Sequence, residues 1–179
     1  MSSSTAVQER LSKRFELWDT DGNGQIDRSD FQSEATHIVA AFGESTDTPR
    51  GHAVADAFNQ LWEFLSTKAG VGPTGSLSAR QFADVAQKEI VGPSHAGFSA
   101  ALRPTIRAII DLCDTDGDGR VNPAEFKTWL KAIGVDQSQA DAAFKAVDAN
   151  GDGYLDAEEL VQAVRQYHMG ESDIPLLGR

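Results

Sequence analysis

The chain has 179 residues, one cysteine and 40% hydrophobic residues, and its 16 Lys+Arg face 27 Asp+Glu, a formal net charge of −11. That acidic balance excludes a nucleic-acid binder, which needs a basic face, and a helix that docks on an anionic membrane. A single cysteine, Cys113, excludes an intramolecular disulfide framework, and no apolar run approaches the roughly 18 residues of a membrane-inserted helix.

Residues 1–10 are polar and Ser-rich, without the apolar run of a secretory signal, and Ser2 excludes N-myristoylation. A soluble cytoplasmic protein is expected. Apolar residues then recur at helical spacing. Val7, Leu11, Phe15 and Trp18 form the first stripe, and Phe31, Ala35, Ile38 and Phe42 the second. Val54, Phe58, Leu61 and Leu65 form the third, Phe82, Val85, Ala86 and Ile90 the fourth, and Leu102, Ile106, Ile109 and Cys113 the fifth. Phe126, Trp129, Leu130 and Ile133 form the sixth, Ala140, Phe144 and Val147 the seventh, and Leu160, Val161, Val164 and Tyr167 the eighth. Sustained period-2 alternation is nowhere evident, so the predicted fold class is all-α with eight helices. Pro104 and Pro123 fit first helical turns, where no N–H is lost. Asp136, with Gln139 three residues on, predicts a capping box before the seventh helix. Residues 43–51 and 92–97 read as Gly/Pro/Ser-bearing connections, the second dividing the chain into halves at 1–92 and 98–179. Residues 170–179 show no helical period.

Three inter-helix segments repeat one pattern. Asp19, Asp21, Asn23 and Gly24 are followed by Asp30; Asp114, Asp116, Asp118 and Gly119 by Glu125; Asp148, Asn150, Asp152 and Gly153 by Glu159. The last two match the full twelve-position calcium-loop template. A hard divalent cation takes six to eight oxygens at short range, and side chains at positions 1, 3 and 5 of a tight loop supply three sources of them. Position 7 needs only a backbone carbonyl, so Gln25, Arg120 and Tyr154 are all acceptable there. Position 9 ligates directly or through water, from Asp27, Asn122 and Asp156. Position 12 closes the shell with a bidentate carboxylate. Position 8 is Ile26, Val121 or Leu155, placed to pair with a partner loop.

The position-8 rule finds a fourth loop without carboxylates. With Gly75 at position 6, Gly70, Gly72, Thr74, Leu77, Ser78 and Gln81 fall at positions 1, 3, 5, 8, 9 and 12. This stretch also spells G-x-G-x-x-G, but it follows a helical stripe rather than a strand and contains Pro73, so a dinucleotide site is rejected in favour of a silent loop. Four helix–loop–helix units, with the second loop degenerate, resemble the EF-hand superfamily. The wide spacing of the first two loops, 51 residues against 34 for the last two, is similar to that of calerythrin and the sarcoplasmic calcium-binding proteins. That resemblance implies two EF-hand pairs in one compact globule with short β pairing between loops, three calcium sites, magnesium as competitor, and a role in calcium buffering or transport. Asp30 departs from the pattern. It is one methylene shorter than Glu, so the first loop is expected to favour calcium less and to accept octahedral magnesium.

Other chemistry is not expected. His37, His52, His95 and His168 lack ligand spacing and read as surface or half-buried imidazoles. Cys113 lies on an apolar stripe and reads as a buried, inert thiol. Trp18, Phe31, Trp62, Phe82, Trp129 and Phe144 read as core. No nucleophilic triad is recognisable, so the chain is not read as an enzyme. A calcium sensor for a dedicated protein partner is the alternative function, although only Met1 and Met169 are present and a promiscuous Met-rich groove is not. A luciferin-binding photoprotein is the remote one. A monomer is expected.

Overall fold

The computed structural model describes residues 2–91, 95–132 and 134–169. Among the described residues the apolar stripes become eight α-helices in this order: α1 (Ser2–Trp18), α2 (Arg28–Ala41), α3 (Pro49–Ala69), α4 (Ala79–Ala86), α5 (His95–Cys113), α6 (Pro123–Ala132), α7 (Ala140–Val147) and α8 (Ala157–His168). A π-turn, Gln87–Val91, continues α4, and a 3₁₀ turn, Gln137–Gln139, precedes α7. Among the described residues the extended structure is minimal. Strand β1 (Gln25–Ile26) pairs antiparallel with β2 (Leu77–Ser78), with Ile26 opposite Leu77. A single bridge joins Val121 to Leu155. Both pairings fall on the position-8 residues, and all four of these side chains are 0% exposed.

The stripes meet in one hydrophobic core that draws on both halves of the chain. Helix α3 lies against α2 and α5, α5 lies against α8, and α1 lies against α4 and α8. In the N-terminal half the Phe31 ring is 4.9 Å from Trp18 and 5.5 Å from Trp62. In the C-terminal half Phe126 sits 5.8 Å from Phe144, edge to face. Such ring pairs contribute about 0.5–1.5 kcal/mol each beyond their burial. The aromatics expected in the core are there. Cys113 is buried and unpaired, and burial pushes its thiol above the ordinary range, which suits an inert side chain. Ile133 and residues 92–94 and 170–179 lie outside the described residues, as does the side chain of Ile90.

Several local expectations are corrected. Helix α3 begins at Pro49 with Thr48 as its cap, so Gly51 lies inside the helix rather than in the connection. A Cβ there would stand 1.9 Å from the Ser45 carbonyl oxygen, and glycine lets the first turn pass that close. Helix α5 begins at His95, so Gly97 is helical and Pro104 lies in the helix interior, not its first turn. There it removes an N–H that would otherwise bond the carbonyl four residues back. Pro123 does occupy a first turn. Asp136 caps the 3₁₀ turn through the Ser138 N–H at 2.9 Å, whereas α7 starts without a side-chain cap. The intervening 3₁₀ turn displaces the helix start by three residues and breaks the capping-box register.

His168 also departs from expectation, because it is 1% exposed. Its Nδ1 lies 2.9 Å from the Val164 carbonyl, and its Nε2 accepts from Arg14 Nε at 3.2 Å. The proton therefore sits on Nδ1 and the ring is neutral. Arg14 is itself 1% exposed and lies 5.5 Å from the Trp18 ring centroid, while Arg10 covers the Tyr167 ring at 4.3 Å. Together these contacts join α1 to α8. Burial, aided by the charges of Arg14 and Arg10, lowers the His168 pKa to about 3, and burial lowers that of Arg14 to about 10.

Two outcomes follow from these contacts. The unfolded chain protonates His168 near its ordinary 6.5, while the folded chain resists to about 3, so stability falls as pH drops through that window. Denaturation midpoints between pH 7 and 4.5 should fall less steeply in His168→Gln, which keeps an acceptor for Arg14. Gly75→Ala would place a Cβ 2.5 Å from the Val71 carbonyl oxygen. It should destabilise the protein by about 1–3 kcal/mol in urea unfolding.

Candidate metal centres

Each loop leaves one helix and enters the next through the same devices. The position-1 aspartate ends the incoming turn, and its Oδ2 accepts the N–H of the position-6 glycine. The distances are 2.9 Å for Asp19 and Gly24, 2.8 Å for Asp114 and Gly119, and 3.0 Å for Asp148 and Gly153. Those glycines have φ of 83°, 73° and 83°, in the left-handed region that a side chain disfavours. Position 5 then accepts the position-7 N–H: Asn23 from Gln25, Asp118 from Arg120 and Asp152 from Tyr154, at 2.8–2.9 Å. Asn150, at position 3, accepts the Asp152 N–H at 3.0 Å.

The exit helix is capped by the site itself. Asp27, Asn122 and Asp156 accept the N–H of Asp30, Glu125 and Glu159 at 3.2, 2.9 and 2.9 Å. Each position-12 carboxylate returns the bond to the position-9 N–H at 3.0 Å. Positions 9 and 12 thus form a capping box in every one of the three loops, worth about 1 kcal/mol per cap. Asp30 completes this box despite its shorter side chain, and it is 1% exposed.

These constraints gather the carboxylates. Oxygens of Asp114, Asp116, Asp118 and Glu125 lie within 4.8 Å of one another, as do oxygens of Asp19, Asp21 and Asp30. Such a set could hold a divalent cation. The last loop has an amide, Asn150, at position 3 and forms no comparable acidic triad among the described residues, but its Asp148 Oδ1 is buried without a hydrogen-bond partner. A buried carboxylate oxygen in that state is one that a bound cation or a water could satisfy. Crowding shows in the titration of the charges. Burial raises the Asp30 carboxyl above its usual range against the pull of the Thr20 and Asp27 hydrogen bonds, and Asp27 and Asp21 add to the rise. Asp116 is also raised: its bond from the Asp118 N–H is outweighed by burial and by Asp114, Asp118 and Glu125. Burial works to raise Asp114, but the Gly119 N–H, the Asp116 side chain and the Gly117 and Asp118 N–H groups outweigh it and lower the carboxyl.

Position 2 is a feature the loop template passes over. Thr20 Oγ1 donates to Asp30 at 2.9 Å, and Thr115 donates through both N–H and Oγ1 to Glu125 at 3.0 and 3.1 Å. The repeated Asp-Thr-Asp of the two loops is its signal in the sequence. The last loop has Ala149 there.

The silent loop is built differently. Gly75 does not use a left-handed conformation; Gly70 and Gly72 do, both at φ 77°. Gly75 is required instead by its approach to Val71. Trp62 Nε1 pins the segment through the Pro73 carbonyl at 2.9 Å. Ser78 and Gln81 keep the capping box with uncharged side chains.

The EF-hand domain pair matches residues 103–164, and the EF hand matches residues 11–33. Calerythrin of Saccharopolyspora erythraea is 42% identical over 175 residues, covering 97% of this chain and 99% of calerythrin. This chain is an EF-hand protein of the calerythrin group. A second EF-hand relative is a Streptomyces coelicolor calcium-binding protein whose structure is described as the basis of prokaryotic calcium-mediated regulation. It superposes with a TM-score of 0.76 at 34% identity, over 91% of this chain and 98% of its own. Magnesium-loaded apo-berovin, a ctenophore photoprotein whose three calcium-binding loops bind magnesium, gives 0.63 at 26% identity, over 89% of this chain and 87% of berovin.

Proposed function

We propose that the protein is a cytoplasmic calcium buffer with three sites, held in an N-terminal pair over residues 1–92 and a C-terminal pair over residues 98–179. The observation that carries the reading is the convergence of carboxylate oxygens within 4.8 Å of one another, from positions 1, 3 and 12 of the first loop and positions 1, 3, 5 and 12 of the third. The ligands would be Asp19, Asp21, Asn23, Gln25, Asp27 and Asp30; Asp114, Asp116, Asp118, Arg120, Asn122 and Glu125; and Asp148, Asn150, Asp152, Tyr154, Asp156 and Glu159. Gln25, Arg120 and Tyr154 would give carbonyl oxygens only. Bound calcium supplies positive charge to the crowded carboxylates and so stabilises the folded state.

Buffering is favoured over sensing by the shared core. The apolar faces of both pairs are buried against each other, and α1 is tied to α8. Opening either pair would expose that core. The sensor reading is supported by the likeness to the Streptomyces protein, whose structure is tied to calcium-mediated regulation. A dye for exposed apolar surface separates the two: little change on adding calcium supports buffering, and a large rise supports sensing. A luciferin role is disfavoured because Trp18, Trp62 and Trp129, at most 2% exposed, are spent in core packing.

Calcium titration by calorimetry, with and without magnesium, should give three ions, reduced to two by either Glu125→Gln or Glu159→Gln. Each site held at a hundred times its Kd adds about 2.7 kcal/mol, so chelator should lower Tm by about 5–10 °C per site in a chain of this length. The first loop should be the one most readily taken by magnesium, and Asp30→Glu should raise its preference for calcium roughly ten-fold.

A further inference from the structure

The position-7 side chains of each pair meet across the pair. Ser76 Oγ donates to Gln25 Oε1 in the first. In the second, Arg120 Cζ lies 3.9 Å from the centroid of the Tyr154 ring. The bridge between Val121 and Leu155 explains the second contact. Those two side chains are buried, so their predecessors point to the opposite, outer face on a diagonal of the antiparallel pairing. At 3.9 Å the guanidinium is well within cation–π range. Its Nη2 also lies 3.9 Å from Asp118 Oδ2, the position-5 carboxylate of its own loop. One cation therefore stands between a carboxylate of loop three and a ring of loop four.

We propose that Arg120 and Tyr154 couple the two C-terminal metal sites, with Arg120 as the positioning residue. The proposal rests on the assignment of ions to loops three and four. Before binding, the Arg120 charge is divided between Asp118 and the Tyr154 ring. With Asp118 engaged by a divalent cation, that carboxylate would no longer draw the guanidinium, whose charge would be left to the Tyr154 ring it already touches at 3.9 Å. The contact, no longer shared with Asp118, would hold the backbone at Tyr154, whose carbonyl would be the position-7 oxygen of loop four. Linkage makes the effect reciprocal, so an ion in loop four tightens loop three by the same factor. Neither side chain is asked to touch the ion, which is why the template leaves both types open.

The test compares the calcium affinity of loop four in the full chain with and without Glu125→Gln, the ratio being the coupling factor. An exposed cation–π contact corresponds to about a two- to five-fold effect. Arg120→Ala and Tyr154→Ala should each reduce the coupling factor by that amount, and the double variant should reduce it no further. Tyr154→Phe, which keeps the ring, should preserve it. A purely structural ring would move both affinities and leave the factor alone. An unchanged factor in Arg120→Ala, or a loss in Tyr154→Phe equal to that in Tyr154→Ala, overturns the proposal. If the unsubstituted chain loses no ion on Glu125→Gln or on Glu159→Gln, the site assignment itself fails, and the coupling falls with it.

Discussion

Like charges held about 4 Å apart repel by about 1 kcal/mol per pair in water, and more where water is excluded. One carboxylate oxygen from each of Asp114, Asp116, Asp118 and Glu125 lies within 4.8 Å of the others, so the loop must be held together by contacts other than those to an ion. Three kinds of group do this. Backbone N–H groups at positions 5 and 6 point into the position-1 carboxylate. The position-8 residue anchors the loop to its partner from the dry side. The exit helix is capped by the Asn122 amide oxygen and the Glu125 carboxylate. The twelve carboxylates at positions 1, 3, 5, 9 and 12 of the three loops exceed the whole surplus of eleven negative charges, so the acidity of the chain is concentrated there.

The silent loop separates ligation from architecture. It has lost every carboxylate yet keeps Leu77 opposite Ile26, the Ser78–Gln81 capping box and a side-chain contact at position 7. Its backbone does not turn at Gly75 as the other loops do at position 6. A loop of this kind still gives the first loop an antiparallel neighbour. Without that neighbour Ile26 would have no strand to pair with, and Asp27, the cap of α2, directly follows it.

Much of this was legible because the loop chemistry is local. Spacing within twelve residues names the candidate ligands, the turn glycines and the pairing residue, and the helical stripes name the core. Errors arose where a neighbour distant in sequence decides the outcome. Pro104 reads as a first-turn residue until α5 is seen to begin at His95. His168 reads as a surface or half-buried imidazole, whereas Arg14, 154 residues away, buries it fully against α1. Gly75 carries the right residue for a reason other than the template's. Its constraint is the Val71 carbonyl rather than a left-handed turn. Thr20 and Thr115 were visible as a repeated tripeptide, but their meaning needed the position-12 carboxylate in three dimensions.

The hydrogen bond between Arg14 and His168 spans almost the full chain. On the ribosome, at about 5–20 residues per second, the histidine emerges roughly 8–30 s after the arginine. During that interval a guanidinium destined for the interior lacks one of its acceptors, and α1 has no α8 to lie against. The N-terminal half therefore completes its packing only after synthesis of the last helix, and nascent chains halted before residue 168 should be the species that chaperones and proteases encounter in an unfinished state.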